Sequence, residues 1–187
     1  MKTLALTTLA LLIVGATQMD FSVNPSSKMW IDGTSSVHDW TCDVATVEGT
    51  LAAVSLEELL VGGIESASIA VPMDAVDCHK GVMNKKVRKA LKVKEYPTID
   101  FDLVSASSAS ENVVAAAGVL TIAGAEQDVQ IEAQVEQFND RAILSGTIPI
   151  KMSDFNIDPP TALLGTLKTG DSVNVRFELV INPTSTL

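Results

Sequence analysis

The feature that most limits what this chain can become is an alternation of apolar and polar residues at period two, running from about residue 28 to residue 182. Successive side chains of an extended strand point to opposite sides, so such alternation marks strands with one buried and one wet face. Near the C-terminus Val173, Val175, Phe177, Leu179 and Ile181 share one face, and Ser172, Asn174, Arg176, Glu178 and Asn182 share the other. Val129, Ile131, Ala133 and Val135 alternate with Asp128, Gln130, Glu132 and Gln134, and Ile99, Phe101 and Leu103 with Asp100 and Asp102. Leu144, Gly146, Ile148 and Ile150 form a further face, and Val113, Ala115, Ala117, Val119 and Thr121 another. The pattern predicts about eight strands, at 28–34, 39–51, 64–73, 98–107, 112–122, 127–137, 142–151 and 172–182. Turn-forming stretches at 108–112, 123–125 and 139–141 separate the later ones.

Eight long one-sided strands in succession predict an all-β fold, an antiparallel sheet that closes into a barrel or folds into a sandwich. A barrel of that size either fills its interior with side chains or holds one small ligand. Ala115, Ala117, Ala133, Gly146, Cys42 and Thr121 are small inward candidates that would leave volume. The same residues would also suit a tapering packed core, and periodicity does not separate the two readings. At 187 residues and 47% hydrophobic the chain supports one sizeable core. A formal charge of −10 argues against nucleic acid as a partner.

Residues 1–16 read as a signal peptide. Lys2 precedes an uncharged apolar stretch from Leu4 to Val14, and Val14, Gly15 and Ala16 supply small residues for cleavage. The apolar run is shorter than the roughly 20 residues that a membrane-spanning helix needs. The expected location is therefore periplasmic or secreted. In an oxidising compartment Cys42 and Cys78 make a plausible single bridge, closing a loop of roughly 37 residues. Free buried thiols, or a metal site shared with His38 and His79, are the competing readings, although the tight ligand pairs usual for zinc are missing.

Two helices interrupt the strands. Residues 55–61 open with Ser55 and carry Glu58 three positions on, a capping-box pattern. Residues 80–94 place Met83, Val87, Ala90 and Leu91 on one apolar face. The same segment holds Lys80, Lys85, Lys86, Arg88, Lys89, Lys92 and Lys94 and no acid, and Tyr96-Pro97 ends it. A basic amphipathic helix on an acidic protein suits an anionic membrane surface or a phosphate-bearing headgroup. It also suits a cover over the barrel end whose lysines stay solvated or pair with the acidic body.

Particular segments add a resemblance. Ser35-Ser36-Val37-His38-Asp39-Trp40 and Val47-Glu48-Gly49-Thr50-Leu51 come first, then Met83-Asn84-Lys85-Lys86 and Lys89-Ala90-Leu91-Lys92 leading into Glu95-Tyr96-Pro97-Thr98-Ile99-Asp100-Phe101. Gly118-Val119-Leu120-Thr121-Ile122 with Gly124, Ser153-Asp154-Phe155-Asn156-Ile157 and Gly170-Asp171-Ser172-Val173 complete the series. In this order they resemble the YceI-like proteins over nearly the whole chain after the signal segment. The resemblance implies an extended eight-stranded antiparallel lipocalin-like barrel with a short amphipathic helix after the third strand. It also implies a lengthwise apolar cavity that binds polyisoprenoid or another long-chain lipid without catalysis. The chain then divides into a signal peptide (1–16), a short N-terminal segment (17–27), the barrel domain (28–183) and a C-terminal tail (184–187). Cys42 and Cys78 belong only to some members of the family, so their bridge is not inherited from it.

On this reading the cavity lining is Trp40, Phe101, Leu103, Leu120, Leu144, Ile148, Phe155, Phe177 and Leu179. Met83, Val87 and Leu91 form a lid, with Lys85, Lys86 or Lys89 near a headgroup. No cofactor is expected beyond a bound lipid or isoprenoid. A homodimer through an exposed edge strand and a transient contact with an anionic membrane through the basic helix are the further partners. Two other functions compete. One is an enzyme or metal site using His38, Asp39, Cys78 and His79, although neighbours along a strand face opposite ways. The other is an interaction module with a fully packed interior.

Overall fold

A computed structural model describes residues 18–162 and 167–184. The expected signal peptide at 1–16 lies outside the described residues, as do residues 185–187 of the expected tail. The strands are β1 (Met19–Val23), β2 (Lys28–Ser35), β3 (Trp40–Val44), β4 (Glu48–Ala53), β5 (Ile64–Pro72), β6 (Val76–Asp77), β7 (Thr98–Ser110), β8 (Val113–Ile122), β9 (Ala125–Phe138), β10 (Arg141–Lys151), β11 (Thr161–Ala162) and β12 (Leu167–Pro183). Two helices accompany them, α1 (Leu56–Leu60) and α2 (Gly81–Ala90).

These segments make eight ribbons, because three of them are interrupted. β1 and β2 run end to end along one edge of β12, with Val23 opposite Ile181 and Lys28 opposite Glu178. β4 and β3 line up against β1 and β2 in the same way, and β5 and β6 against β4 and β3. The unbroken strands β7, β8, β9, β10 and β12 follow in sequence order, each antiparallel to its neighbour. Pairing of β12 back onto β1 and β2 closes an eight-stranded antiparallel barrel. Strands of ten to fourteen residues, rising about 3.3 Å per residue and tilted about 40°, give a wall roughly 25–35 Å tall.

The interruptions have local causes. Pro25, which has no N–H to donate, sits between β1 and β2; there the Asn24 N–H donates to the Val180 carbonyl at 2.7 Å and the Ser27 hydroxyl accepts from the Val180 N–H at 2.9 Å. The predicted single strand 39–51 breaks at 45–47, where the Ala45 N–H turns to the carbonyl of Ala75 at 2.9 Å. That partner lies in the 3-10 turn Met73–Ala75, which divides β5 from β6. β1 is a finding that alternation did not anticipate: five residues are too few for a periodic signal, yet they complete the ring from within the segment read as N-terminal to the barrel.

β8 also corrects the sequence reading. Ala115, Ala117 and Thr121 were inward candidates, but Val114, Ala116, Leu120 and Ile122 are the residues that face the interior. Val113 to Ile122 is almost wholly apolar, so either alternate set could serve as the inner face, and pairing with β7 and β9 decides between them.

The two ends differ. At one, α1 closes the barrel: the Ser55 hydroxyl accepts from the Glu58 N–H at 3.2 Å, as the capping pattern predicts, and Leu59 is fully buried. At the other lie the β2–β3 loop, α2 and the chain between β10 and β12. The helix predicted over 80–94 stops at Ala90, and the chain turns through Leu91, with Lys92 at φ 51°. β9 and β10 pair only from Phe138 opposite Arg141 to Ala133 opposite Gly146. Above that point they diverge, and the turn Met152–Phe155 fills the seam with a buried Phe155. The Gln127 amide donates to the Asp154 carbonyl across it at 2.8 Å. The unpaired upper halves of β9 and β10 thus flank this seam.

Candidate functional site

The inward faces of the eight ribbons enclose a cavity of about 520 Å³ whose wall is almost entirely apolar. That volume lies within the usual range for small-molecule sites, about 300–1,000 Å³. Among the described residues no buried side chain is polar or charged.

Each residue expected in the lining faces this space: Trp40, Phe101, Leu103, Leu120, Leu144, Ile148, Phe155, Phe177 and Leu179. Of the helix residues, Met83, Val87, Leu91 and Lys86 do so as well. Lys85 and Lys89 do not. They occupy the exposed outer side of α2, because a helix that turns its Met83–Val87 face to the barrel must direct positions two residues away elsewhere. Sequence reasoning passed over Met29, Ile31 and Ile69, which an alternate-residue count along their strands would have found. Val114 and Ala116 carried no such signal, since both faces of β8 are apolar.

Three large rings lie flat against the wall because each covers a glycine on the adjacent strand. A Cβ added at Gly33 would collide with the Trp40 indole, one at Gly118 with Phe101, and one at Gly146 with Phe177. With no side chain beneath, each ring settles onto backbone instead of projecting across the lumen. The Trp40 indole N–H donates to the Thr34 carbonyl at 3.0 Å, so its one polar atom is satisfied within the wall. The interior can thus hold an apolar chain by contact and desolvation, and it presents no ionised group to one.

Within the cavity lining, charge is confined to one end. Ser35, Val37, His38, Lys80, Val82, Lys86, Thr161, Lys168 and Thr169 border the cavity there. The rim is a connected structure. The Ser36 N–H donates to the Lys168 carbonyl at 2.9 Å, Lys168 pairs with Thr161, and the Lys86 ammonium donates to the Thr161 carbonyl at 2.7 Å.

Cys42 and Cys78 are joined in a disulfide that ties β3 to the chain just before α2. Cys78 therefore has no thiolate to offer a metal or a substrate. His79 turns outward and meets Asp43, with Nε2 3.0 Å from Oδ2, while the His38 Nδ1 lies 3.0 Å from the Asp39 carbonyl oxygen. The Asn84 amide anchors this corner, donating to Asp77 and accepting from the Cys78 N–H, at 2.8 and 2.7 Å. Those bonds, the Asn84 amide foremost and then the His79 N–H, hold the Asp77 carboxyl below the usual range.

Comparison with solved structures returns the same architecture. Burkholderia cenocepacia BcnA superposes with a TM-score of 0.72 at 21% identity, covering 84% of this chain and 98% of that one. A polyisoprenoid binding domain from Saccharophagus degradans, implicated in plant cell wall breakdown, gives 0.68 at 15% identity, with 89% and 99% coverage. The Campylobacter jejuni YCEI protein gives 0.59 at 15% identity, with 99% and 94% coverage. No curated protein matches the chain. The YceI-like domain family matches residues 21–181, nearly the whole described barrel, and the chain belongs to that family.

Proposed function

We propose that this protein binds a long apolar lipid, a polyisoprenoid or similar chain, inside the barrel and carries or sequesters it without chemical change. The observation that carries the reading is a continuous apolar lumen, closed by α1 at one end and bordered by a polar rim at the other. Each methylene withdrawn from water contributes about 0.8 kcal/mol, so an elongated tail gains affinity along its whole length without specific polar contacts. The relative from Saccharophagus degradans, a polyisoprenoid binding domain of the same fold, supports that class of cargo. Lys86, Lys80 and Lys168 at the rim suit a polar or anionic head left outside the lumen. The proposal includes export to the periplasm or the medium, which the signal-like residues 1–16 favour, and needs no cofactor.

Native mass spectrometry of gently purified protein, followed by organic extraction, tests it. The expected result is an added mass that extracts as an isoprenoid or long-chain lipid, or saturable uptake of added isoprenoid alcohol by the bare protein. A protein that arrives bare and refuses added isoprenoid overturns the reading and favours an interaction module.

A further inference from the structure

The rim carries two large apolar side chains that the fold does not bury. Val82 is 75% exposed and Val37 65%, and both border the cavity. They belong to one end of the molecule: Val37 adjoins Ser36, which is bonded to Lys168, while Val82 sits one helical turn before Lys86, which is bonded to Thr161 beside Lys168.

Cations surround them. Lys80, Lys86 and Lys168 border the opening, and Lys85, Arg88 and Lys89 cover the exposed outer side of α2. Among the described residues the ion pairs join Lys28 to Glu178 and Arg176 to Asp32, while the His79 ring lies beside Asp43 and Asp77. The helix cations thus take no partner from the acidic body. Asp39, Asp171, Asp77 and Asp158 are the carboxylates nearest the rim in sequence, all exposed; Asp77 feels the charge of Arg88, and Asp171 is bonded to Ser153. At the opposite end the charge is reversed, with Glu57 and Glu58 on α1, Glu111 in the β7–β8 turn and Asp140 in the β9–β10 turn. Exposed cations are thus concentrated on α2 and the rim of the mouth, while Glu57, Glu58, Glu111 and Asp140 outnumber Arg141 at the far end.

We propose that this mouth docks on an anionic lipid bilayer, with Val37 and Val82 entering the headgroup region and the α2 cations lying over it. The cations are spread along an exposed helix side rather than converged on one point, which suits a charged plane better than a single phosphate. The acidic far end is repelled by the same plane, so the approach is steered mouth first. In that pose a tail moves between bilayer and lumen without crossing water. The inference rests on the carrier reading for its purpose, and its test separates the two.

Protein with and without added isoprenoid alcohol is floated with vesicles of phosphatidylcholine alone or of phosphatidylcholine mixed with phosphatidylglycerol. The expected result is flotation with the mixed vesicles only, reversed by salt as screening shortens to within about 10 Å near 0.1 M. Each cation near an anionic surface strengthens partition about fivefold, so the triple variant Lys85→Gln, Arg88→Gln, Lys89→Gln is expected to lose about a hundredfold. Those three side chains lie off the cavity, so isoprenoid uptake in solution is expected to persist in the variant. Val37→Ser with Val82→Ser, which removes apolar surface without adding charge, is expected to weaken flotation at every salt concentration at which it is seen. Absence of flotation on mixed vesicles, equal flotation on neutral ones, or no effect of the triple variant overturns the proposal. The first of these outcomes would point to an acidic protein as the partner of α2. Flotation without isoprenoid uptake would leave docking standing and remove the carrier reading instead.

Discussion

Gly146 lies beneath the ring of Phe177, and a Cβ there would come within 2.7 Å of the ring's Cζ. Gly146→Ala is therefore expected to lift the ring into the lumen. The cost is that of overpacking, about 1–3 kcal/mol, and the loss of space should weaken isoprenoid binding as well. Urea unfolding and a ligand titration on the same variant check both effects. Outside the barrel, Asp32 is held below the usual carboxylate range chiefly by the hydrogen bond from Arg176; desolvation, next in size, works the other way, and a bond from Thr41 adds to the lowering. Arg176 in turn lies over the Trp30 ring, 5.1 Å from its centroid. A carboxyl whose pKa is depressed on folding stabilises above its unfolded value near 4, and that contribution fades as pH falls through the lowered value. Asp32→Asn is therefore expected to cost under about 1 kcal/mol at pH 7, since the pair is largely at the surface, and to flatten the loss of stability below about pH 4. Urea midpoints measured across the acid range check the sign.

At the scale of elements, β3 and the start of α2 are held by the Cys42–Cys78 bridge, whose ends are 36 positions apart. Closing a loop of that length in the unfolded chain is worth about 4 kcal/mol by the chain-entropy estimate. Cys42→Ala with Cys78→Ala is expected to lower unfolding stability by up to about that amount, read from denaturant midpoints. Hydrogen exchange in the double variant is expected to rise first in α2, because Cys78 and Asn84 together fix the point where the helix begins. Element boundaries were legible where alternation was clean, as in β10, whereas β12 begins at Leu167, five residues before the predicted 172. They were not legible at Ala45–Val47, because the break there depends on a carbonyl of Ala75 that local sequence does not announce. The unread β1 has the same origin, a strand too short to show a period and defined by its partners β4 and β12.

At the scale of the whole molecule the lumen is continuous, and one bulky side chain placed midway should divide it. Ala116 faces the cavity on β8 opposite Ile131. Ala116→Trp is expected to leave the barrel folded, because it grows into open volume, and to weaken isoprenoid binding by more than tenfold, an effect of over about 1.4 kcal/mol. Circular dichroism with a ligand titration distinguishes blocked binding from lost folding. By itself the sequence determined the all-β class, most of the strands and which residues of β7, β9, β10 and β12 point inward, because alternation is written residue by residue into the chain. It also marked α2 as basic and amphipathic. Only the tertiary structure decided that the ring closes through β1, which face of β8 is inside, that the two cysteines meet, and that Lys86 turns to the rim while Lys85 and Lys89 do not. Each of those depends on contacts between segments far apart in the chain, and no local pattern encodes a partner's position.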